Sequence, residues 1–220
     1  PADSSSIRWE MAEVAKKAAC VIRTGTEVLD LETRSRQVTR VFTTRGDSHP
    51  KQVVVVAGSW SSRLGRMMSL RVPSEGGKGY SVTVQKPAIF PKIPLMLADA
   101  KVSGTPMGDH LRFSGTLELA GLDLSVNLPR ARAITRAAQA YLSGLEKLNL
   151  VEMWRGLRPV APDGLPIIGR TIALKNLLLA TGHATIGMSL GPITGKLVSE
   201  LAAGDTPSMD LNPLRLERFE

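Results

Sequence analysis

Val53-Val54-Val55-Val56-Ala57 runs into Gly58-Ser59-Trp60, placing branched apolar side chains on consecutive positions, so an extended segment here is apolar on both faces. A strand of that kind usually lies in the middle of a parallel sheet covered on both sides. Gly58 to Ser61 ends it, and a short helix to Met68 follows. Leu177 to Ala180 is a second buried strand. It leads through a glycine-rich turn, Thr181 to Gly191, into a helix opening at Pro192, with Ile193, Leu197, Val198 and Leu201 as its apolar face. Gly204 stops that helix at the left-handed cap position. Strands of this character joined through helices predict an α/β fold.

Upstream, Met11, Val14, Ala15, Ala18 and Ala19 fall at helical spacing with Lys16 and Lys17 on the wet side. Cys20 to Arg23, Glu27 to Glu32 and Gln37 to Thr44 predict a β-meander broken by Thr24-Gly25 and Thr33 to Arg36. From Arg71 the pattern changes to short strands, Tyr80 to Gln85, Leu95 to Ala98 and Leu111 to Leu119, with turn signals at Gly104, Gly108-Asp109 and Gly121. This predicts an antiparallel sheet. Pro129 opens a helix whose stripe is Ile134, Ala137, Ala138, Tyr141, Leu142 and Leu145. Gly156 to Gly169 is dense in glycine and proline and reads as an ordered loop.

With 220 residues, 43% apolar and 22% charged, the chain has the balance of a globular protein and not of a disordered or fibrous one. No apolar run approaches the ~20 residues that a membrane-spanning helix needs. Pro1-Ala-Asp-Ser-Ser-Ser6 shows neither a basic nor an apolar leader region, so no signal peptide is visible. Cys20 is the single cysteine, which rules out an internal disulfide and a cysteine-based zinc cluster and points to a reducing, cytoplasmic compartment. The net charge of +8 is concentrated where Arg63, Arg66, Arg71, Lys78, Lys86, Lys92 and Lys101 outnumber Glu75 and Asp99. Spaced singly and with 4% aromatics, these cations predict a solvated or membrane-facing surface and no nucleic-acid groove.

Three segments together resemble the flavoprotein amine oxidoreductases of the D-amino acid oxidase superfamily, most closely the D-amino acid dehydrogenase branch. They are Val53 to Trp60; Lys78-Gly-Tyr-Ser81 with Gly115-Thr-Leu-Glu118 and Gly121; and Trp154-Arg-Gly-Leu-Arg-Pro159 with Pro162-Asp-Gly-Leu-Pro166, Ile168-Gly169, Asn176-Leu177, Thr181-Gly-His183, Gly187 and Thr194-Gly195. The strand, Gly-x-Gly-x-x-Gly and helix with which such proteins begin do not occur here, since Gly76-Gly77-Lys78-Gly79 neither follows a buried strand nor opens a helix. The chain is therefore read as the C-terminal portion of a longer flavoenzyme. The resemblance implies a glutathione-reductase-like FAD-binding domain in two parts, residues 1–70 and 156–206, with an antiparallel-sheet substrate domain over 71–155 and a tail over 207–220.

The resemblance also implies roles for particular residues. Arg158 is expected to grip a substrate carboxylate, for which a guanidinium fork is suited; the plainer alternative is a surface arginine beside a turn. Tyr80 is expected either to donate to the same carboxylate or to pack its ring in a strand. Val28 corresponds to the adenine side of FAD, and Gly58 and Trp60 to the ring side. Gly156 and Leu157, with the segment Gly182, His183, Ala184, Thr185, Ile186, Gly187, Met188 and Ser189, complete the expected flavin contacts. His183 is expected to be a flavin contact and not a base or metal ligand; no metal site is expected. The helix N-terminus at Gly191-Pro192 is expected to face the flavin with free amides; a plain strand-to-helix connection is the alternative. Asp163 reads as a turn-former and Cys20 as structural. Gly187 to Pro192 departs from the dehydrogenase branch toward glycine-oxidase-like or hydroxyproline-oxidising relatives.

The function so implied is oxidative deamination of an amino acid, specifically a small or cyclic D-amino acid, with FAD as hydride acceptor. Electrons then pass to a quinone or other carrier, which suits a basic patch at the inner face of a membrane. The rivals are an oxygen-using amine oxidase and a catalytically incomplete fragment serving as a binding module.

Overall fold

The computed structural model describes residues 4–87 and 91–220; Pro1 to Asp3, the first residues of the stretch read for a leader, lie outside them. Three strands form a mixed sheet, β3 (Val53–Val55), β9 (Ile167–Arg170) and β10 (Leu177–Thr181), in the order β3-β10-β9. β10 runs parallel to β3 and antiparallel to β9. Every residue of β10 is buried, and Leu177 and Leu179 share a core with Leu31, Val38, Val55 and Ile167. The centre of this sheet is thus β10. β3, expected there, is an edge strand among the described residues, with Val55 buried, Val53 partly buried on the same core and Val54 and Val56 exposed.

The hairpin of β1 (Val28–Arg34) and β2 (Gln37–Thr43) joins the sheet through core packing of Leu31 and Val38, a bond from Lys175 N to Arg36 O of 2.9 Å and the Asn176 side chain. The amide of Asn176 accepts from Val38 N and donates to Val38 O, both at 2.9 Å, copying a strand partner with a buried side chain. Cys20 to Arg23, expected as the first strand of this meander, is irregular, and Cys20 is exposed where a buried structural role was expected. Its neighbours offer no ladder partner. The helix α1 (Ser4–Lys17) forms as the spacing predicts, yet Met11 and Val14 on its apolar face are exposed.

The second sheet has five antiparallel strands in the order β5-β6-β7-β4-β8, built from β4 (Glu75–Gln85), β5 (Leu95–Leu97), β6 (Val102–Met107), β7 (His110–Leu119) and β8 (Leu150–Val160). The helix α3 (Leu128–Tyr141), capped by Asn127 accepting from Arg130 N, covers one face. Ala131, Ile134 and Ala138 pack there on Tyr80, Val82, Val84, Leu111 and Phe113. β8 overturns the reading of Gly156 onward as a loop. It is the edge partner of β4, and an edge tolerates Pro159, whose missing N–H breaks no inner ladder. β8 also runs straight through the expected boundary at 155/156.

Residues 207–220 are packed and not a loose tail. Leu211 and Leu216 are buried, and Arg218 donates to both carboxylate oxygens of Asp163, at 2.7 and 3.1 Å. Asp163 also accepts from Leu165 N, the turn role read from the sequence. Among the described residues no helix is long and apolar enough to cross a membrane, and no group of His, Cys, Asp and Glu is placed to hold a metal.

Lys78, counted above with the solvated cations, is 1% exposed. Its ammonium donates to Asp123 Oδ2 at 2.7 Å and to Ser125 O at 3.1 Å. Beside it, Tyr80 donates to Glu118 Oε2 at 2.8 Å and accepts from Asn127 N at 3.2 Å. These bonds fasten residues 120–127, and with them the start of α3, to β4. Hydrogen bonding to Asp123 raises the Lys78 pKa against the opposing effect of burial. The bonds from Lys78 and then Ser125 hold the Asp123 carboxyl far below the usual range. A depressed carboxyl contributes stability above its unfolded pKa of about 4 that is lost as pH falls through the folded value. Asp123→Asn is therefore expected to lower Tm by a few degrees at pH 7 and to flatten its acid-side decline, as measured by thermal unfolding from pH 7 to pH 3. An unchanged Tm at pH 7 would mean that the loop is held by other contacts.

Candidate functional site

The parallel strands β3 and β10 end side by side, and ligands of open α/β sheets bind beyond such carboxyl ends. Thr181 ties the two exits together: its hydroxyl donates to Gly58 O and accepts from Ser61 Oγ, both at 3.0 Å. Beyond β3 the chain makes one 3-10 turn, Gly58–Trp60, which leads into α2 (Ser61–Met67) and leaves the indole of Trp60 partly exposed. Beyond β10, Gly182 at φ 78° and Ala184 at φ 47° turn the backbone through left-handed conformations. This loop lies against the end of β8, through a bridge between Val160 and His183 and a bond from Ala184 N to Pro159 O of 2.8 Å.

The helix α4 (Gly187–Ala203) starts from this loop. Its N-terminus had been expected at Gly191-Pro192, but Leu190 N already bonds to Ile186 O, so the first turn closes earlier and Pro192 falls inside the helix. Ile186 offers no side-chain cap. The first-turn amides of Gly187, Met188 and Ser189 thus lack intrahelical acceptors and carry the positive end of the helix dipole. The left-handed stop at Gly204, φ 86°, is as the sequence predicts.

The second wall is the face of β4 and β8 opposite α3. Gly79 and Gly156 are directly paired across these strands. A Cβ on Gly79 would lie 1.7 Å from Arg158 Nη1, and one on Gly156 would lie 2.1 Å from the Trp154 ring. The guanidinium and the indole therefore rest on a floor of bare glycine backbone. Arg158 is half-buried, and no hydrogen bond or ion pair holds its guanidinium among the described residues. An unpaired, partly desolvated cation is costly unless an anion completes it.

The fold thus brings Gly58, Trp60, Gly156, Arg158 and Gly182 to Ser189 into one region, where Thr185, Ile186, Met188 and Ser189 are exposed. Three expected site residues stand apart from it. Tyr80 points to the opposite face, buried under α3 with its hydroxyl engaged by Glu118; it cannot share a carboxylate with Arg158, and the packing alternative is what the fold uses. Leu157, paired with Lys78, also points to that face. Val28 packs on the core beside Val38 and Val55. Trp154 was missed as a site residue; its place two residues before Gly156 in a strand was the available signal. His183 is half-buried, and its Nε2 lies 3.0 Å from Thr194 Oγ1 on α4. Burial pushes its pKa down, so the ring is neutral at pH 7.

The profile described as "FAD dependent oxidoreductase" matches residues 2–201. The chain belongs to the FAD-dependent oxidoreductase family. Two D-amino acid dehydrogenases are 32% identical to it, that of Vibrio atlanticus (strain LGP32) over 95% of this chain and 50% of its own length, and that of Xanthobacter autotrophicus (strain ATCC BAA-1158 / Py2) over 99% and 52%. The chain spans about half the length of the curated relatives it matches. The crystal structure of glycine oxidase from Geobacillus kaustophilus superposes with a TM-score of 0.84 at 28% identity, covering 94% of this chain and 55% of that one. The mixed α/β fold expected from the sequence is thus that of FAD-dependent oxidoreductases.

As a member of this family, the chain is expected to hold FAD, and its residues fit one end of that cofactor. The uncapped start of α4 offers amide donors, the left-handed turn at Gly182 and Ala184 leads the chain from buried β10 to exposed Thr185 and Ile186, and Trp60, Ile186 and Met188 present apolar area. Those features suit a flat ring edged with carbonyls. For the pyrophosphate end this sequence has no Gly-x-Gly-x-x-Gly motif.

Two outcomes are expected here. Gly79→Ala forces aside only the flexible tip of Arg158, so Tm should move by less than about 3 °C. Affinity for a simple carboxylate, read by ligand-observed NMR, should fall about tenfold or more. For His183, the fold resists a proton that the unfolded chain takes up near pH 6.5, so stability declines as pH drops through that value toward the lower folded pKa. His183→Gln should flatten the Tm profile between pH 7 and pH 5 in thermal melts.

Proposed function

We propose that this chain supplies the substrate-facing part of an FAD-dependent amino acid dehydrogenase, with Arg158 holding the substrate carboxylate. The observation that carries this reading is the Arg158 guanidinium, unpaired on its glycine floor beside the segment Gly182 to Ser189. A carboxylate there gains two parallel, charge-assisted bonds, and its fixed plane orients the Cα hydrogen. FAD supplies the hydride acceptor when bound. The amides of Gly187, Met188 and Ser189 stabilise negative charge at the site. Neutral His183, held by Thr194, orients the loop without contributing a proton. Tyr80 acts at a distance, anchoring β4 through Glu118.

In this reading residues 1–70 and 156–206 form the FAD-binding part and 71–155 the substrate part, with β8 common to both. The substrate is a D-amino acid or glycine, and the electrons pass to a quinone or other carrier, with peripheral contact to an anionic membrane through exposed basic residues such as Arg71 and Lys101. An oxygen-using oxidase is the second reading, favoured by the likeness to glycine oxidase.

The test is an anaerobic titration of the flavin-loaded protein, expressed with its natural flanking sequence, against D-amino acids, glycine and D-hydroxyproline. Bleaching of the flavin band by one of them is expected, with KM raised on the order of 100-fold in Arg158→Leu. Reoxidation by quinone analogues but not by oxygen would separate dehydrogenase from oxidase. A flavin that no amino acid bleaches would overturn the proposal.

A further inference from the structure

Resting on the reading of Arg158 as the carboxylate anchor, we propose that Trp154 is the wall that selects the substrate's side chain, favouring amino acids with an apolar chain or ring over glycine. Trp154 and Arg158 both project from the open face of β8, one on each side of Gly156. The ring lies over Gly156 and the guanidinium over Gly79, which is directly paired with it. Cross-strand neighbours are about 5 Å apart. A carboxylate held by Arg158 therefore places the carbons beyond Cα within reach of the indole.

One face of the indole is seated on Gly156, yet the residue is 50% exposed. A large apolar ring left open beside an unpaired cation is suited to a ligand that is anionic at one end and apolar at the other. The ring's seat is also tightly enclosed. Ser81, directly opposite Trp154 on the same face, is buried, and its Oγ has no hydrogen-bond partner. Such an orphan costs stability, and it is sustained where the ring is held. The glycine at 156 is needed for the same reason, because any side chain would lift the indole off the strand.

Carboxylates without an amino group bind this cup but cannot be oxidised, which separates recognition from turnover. Affinities of acetate, butanoate and 3-phenylpropanoate are measured by competition in the flavin-loaded protein and in Trp154→Ala, Trp154→Phe and Arg158→Leu. The ratio of 3-phenylpropanoate to acetate affinity is expected to be about tenfold or more in the parent protein, to collapse toward unity in Trp154→Ala, and to return in Trp154→Phe. Arg158→Leu should weaken all three alike. A ratio that survives in Trp154→Ala overturns the wall while leaving the carboxylate anchor standing. Carboxylates that bind equally well in Arg158→Leu overturn the anchor, and the wall with it.

Discussion

Gly79 and Gly156 meet directly across β4 and β8, leaving the open face of the antiparallel sheet as bare backbone between them. Everything proposed for the site rests on that bareness. A methyl group on either residue would occupy space now filled by the Arg158 guanidinium or the Trp154 indole. The functional side chains therefore lie flat along the strands and do not stand off them, which leaves room above for a planar partner. Glycine weakens a strand, and β4 and β8 offset this by pairing along nearly their whole length.

The site is assembled from elements that are each fixed elsewhere. β4 is clamped from behind by Lys78, whose ammonium reaches Asp123 and Ser125. The exits of β3 and β10 are held together by the hydroxyls of Ser61 and Thr181. β8 connects the two regions, since its middle pairs with β4 and its end bridges to His183. The left-handed Ala184, φ 47°, is thus supported on both sides, as expected where strained backbone borders a site.

Much of this was legible in the residues. Consecutive branched side chains at Val53 to Val56 and Leu177 to Leu179 identified two strands of an α/β sheet, though not that they pair, and the stripe from Ile134 to Ala138 identified α3. The motif Gly156-Leu-Arg-Pro159 led to the family and to Arg158. What stayed hidden depends on distant partners. Whether β3 is central or at an edge depends on what pairs with it, and a valine run cannot say. Lys78 looks solvated because Asp123 lies 45 residues away. β8 was obscured by glycine and proline, residues poor in intrinsic strand preference that an edge nevertheless accepts. Tyr80 was readable in principle: it shares a period-two face with Val82 and Val84, and those are core residues.

The pairing of β3 with β10 also sets the order in which the molecule can form. Within the antiparallel sheet β5, β6 and β7 follow one another as hairpins and β4 meets β7 and then β8 across longer stretches, whereas Val53 must wait for Leu177, with the whole of that sheet lying between them in the chain. Closing so long a loop is slow. During synthesis the glycine floor can be laid down while Gly58 still lacks the Thr181 hydroxyl that will hold it. Arg158 thus has its glycine floor from the antiparallel sheet alone, and gains the neighbouring wall of Gly182 to Ser189 only when β10 docks on β3.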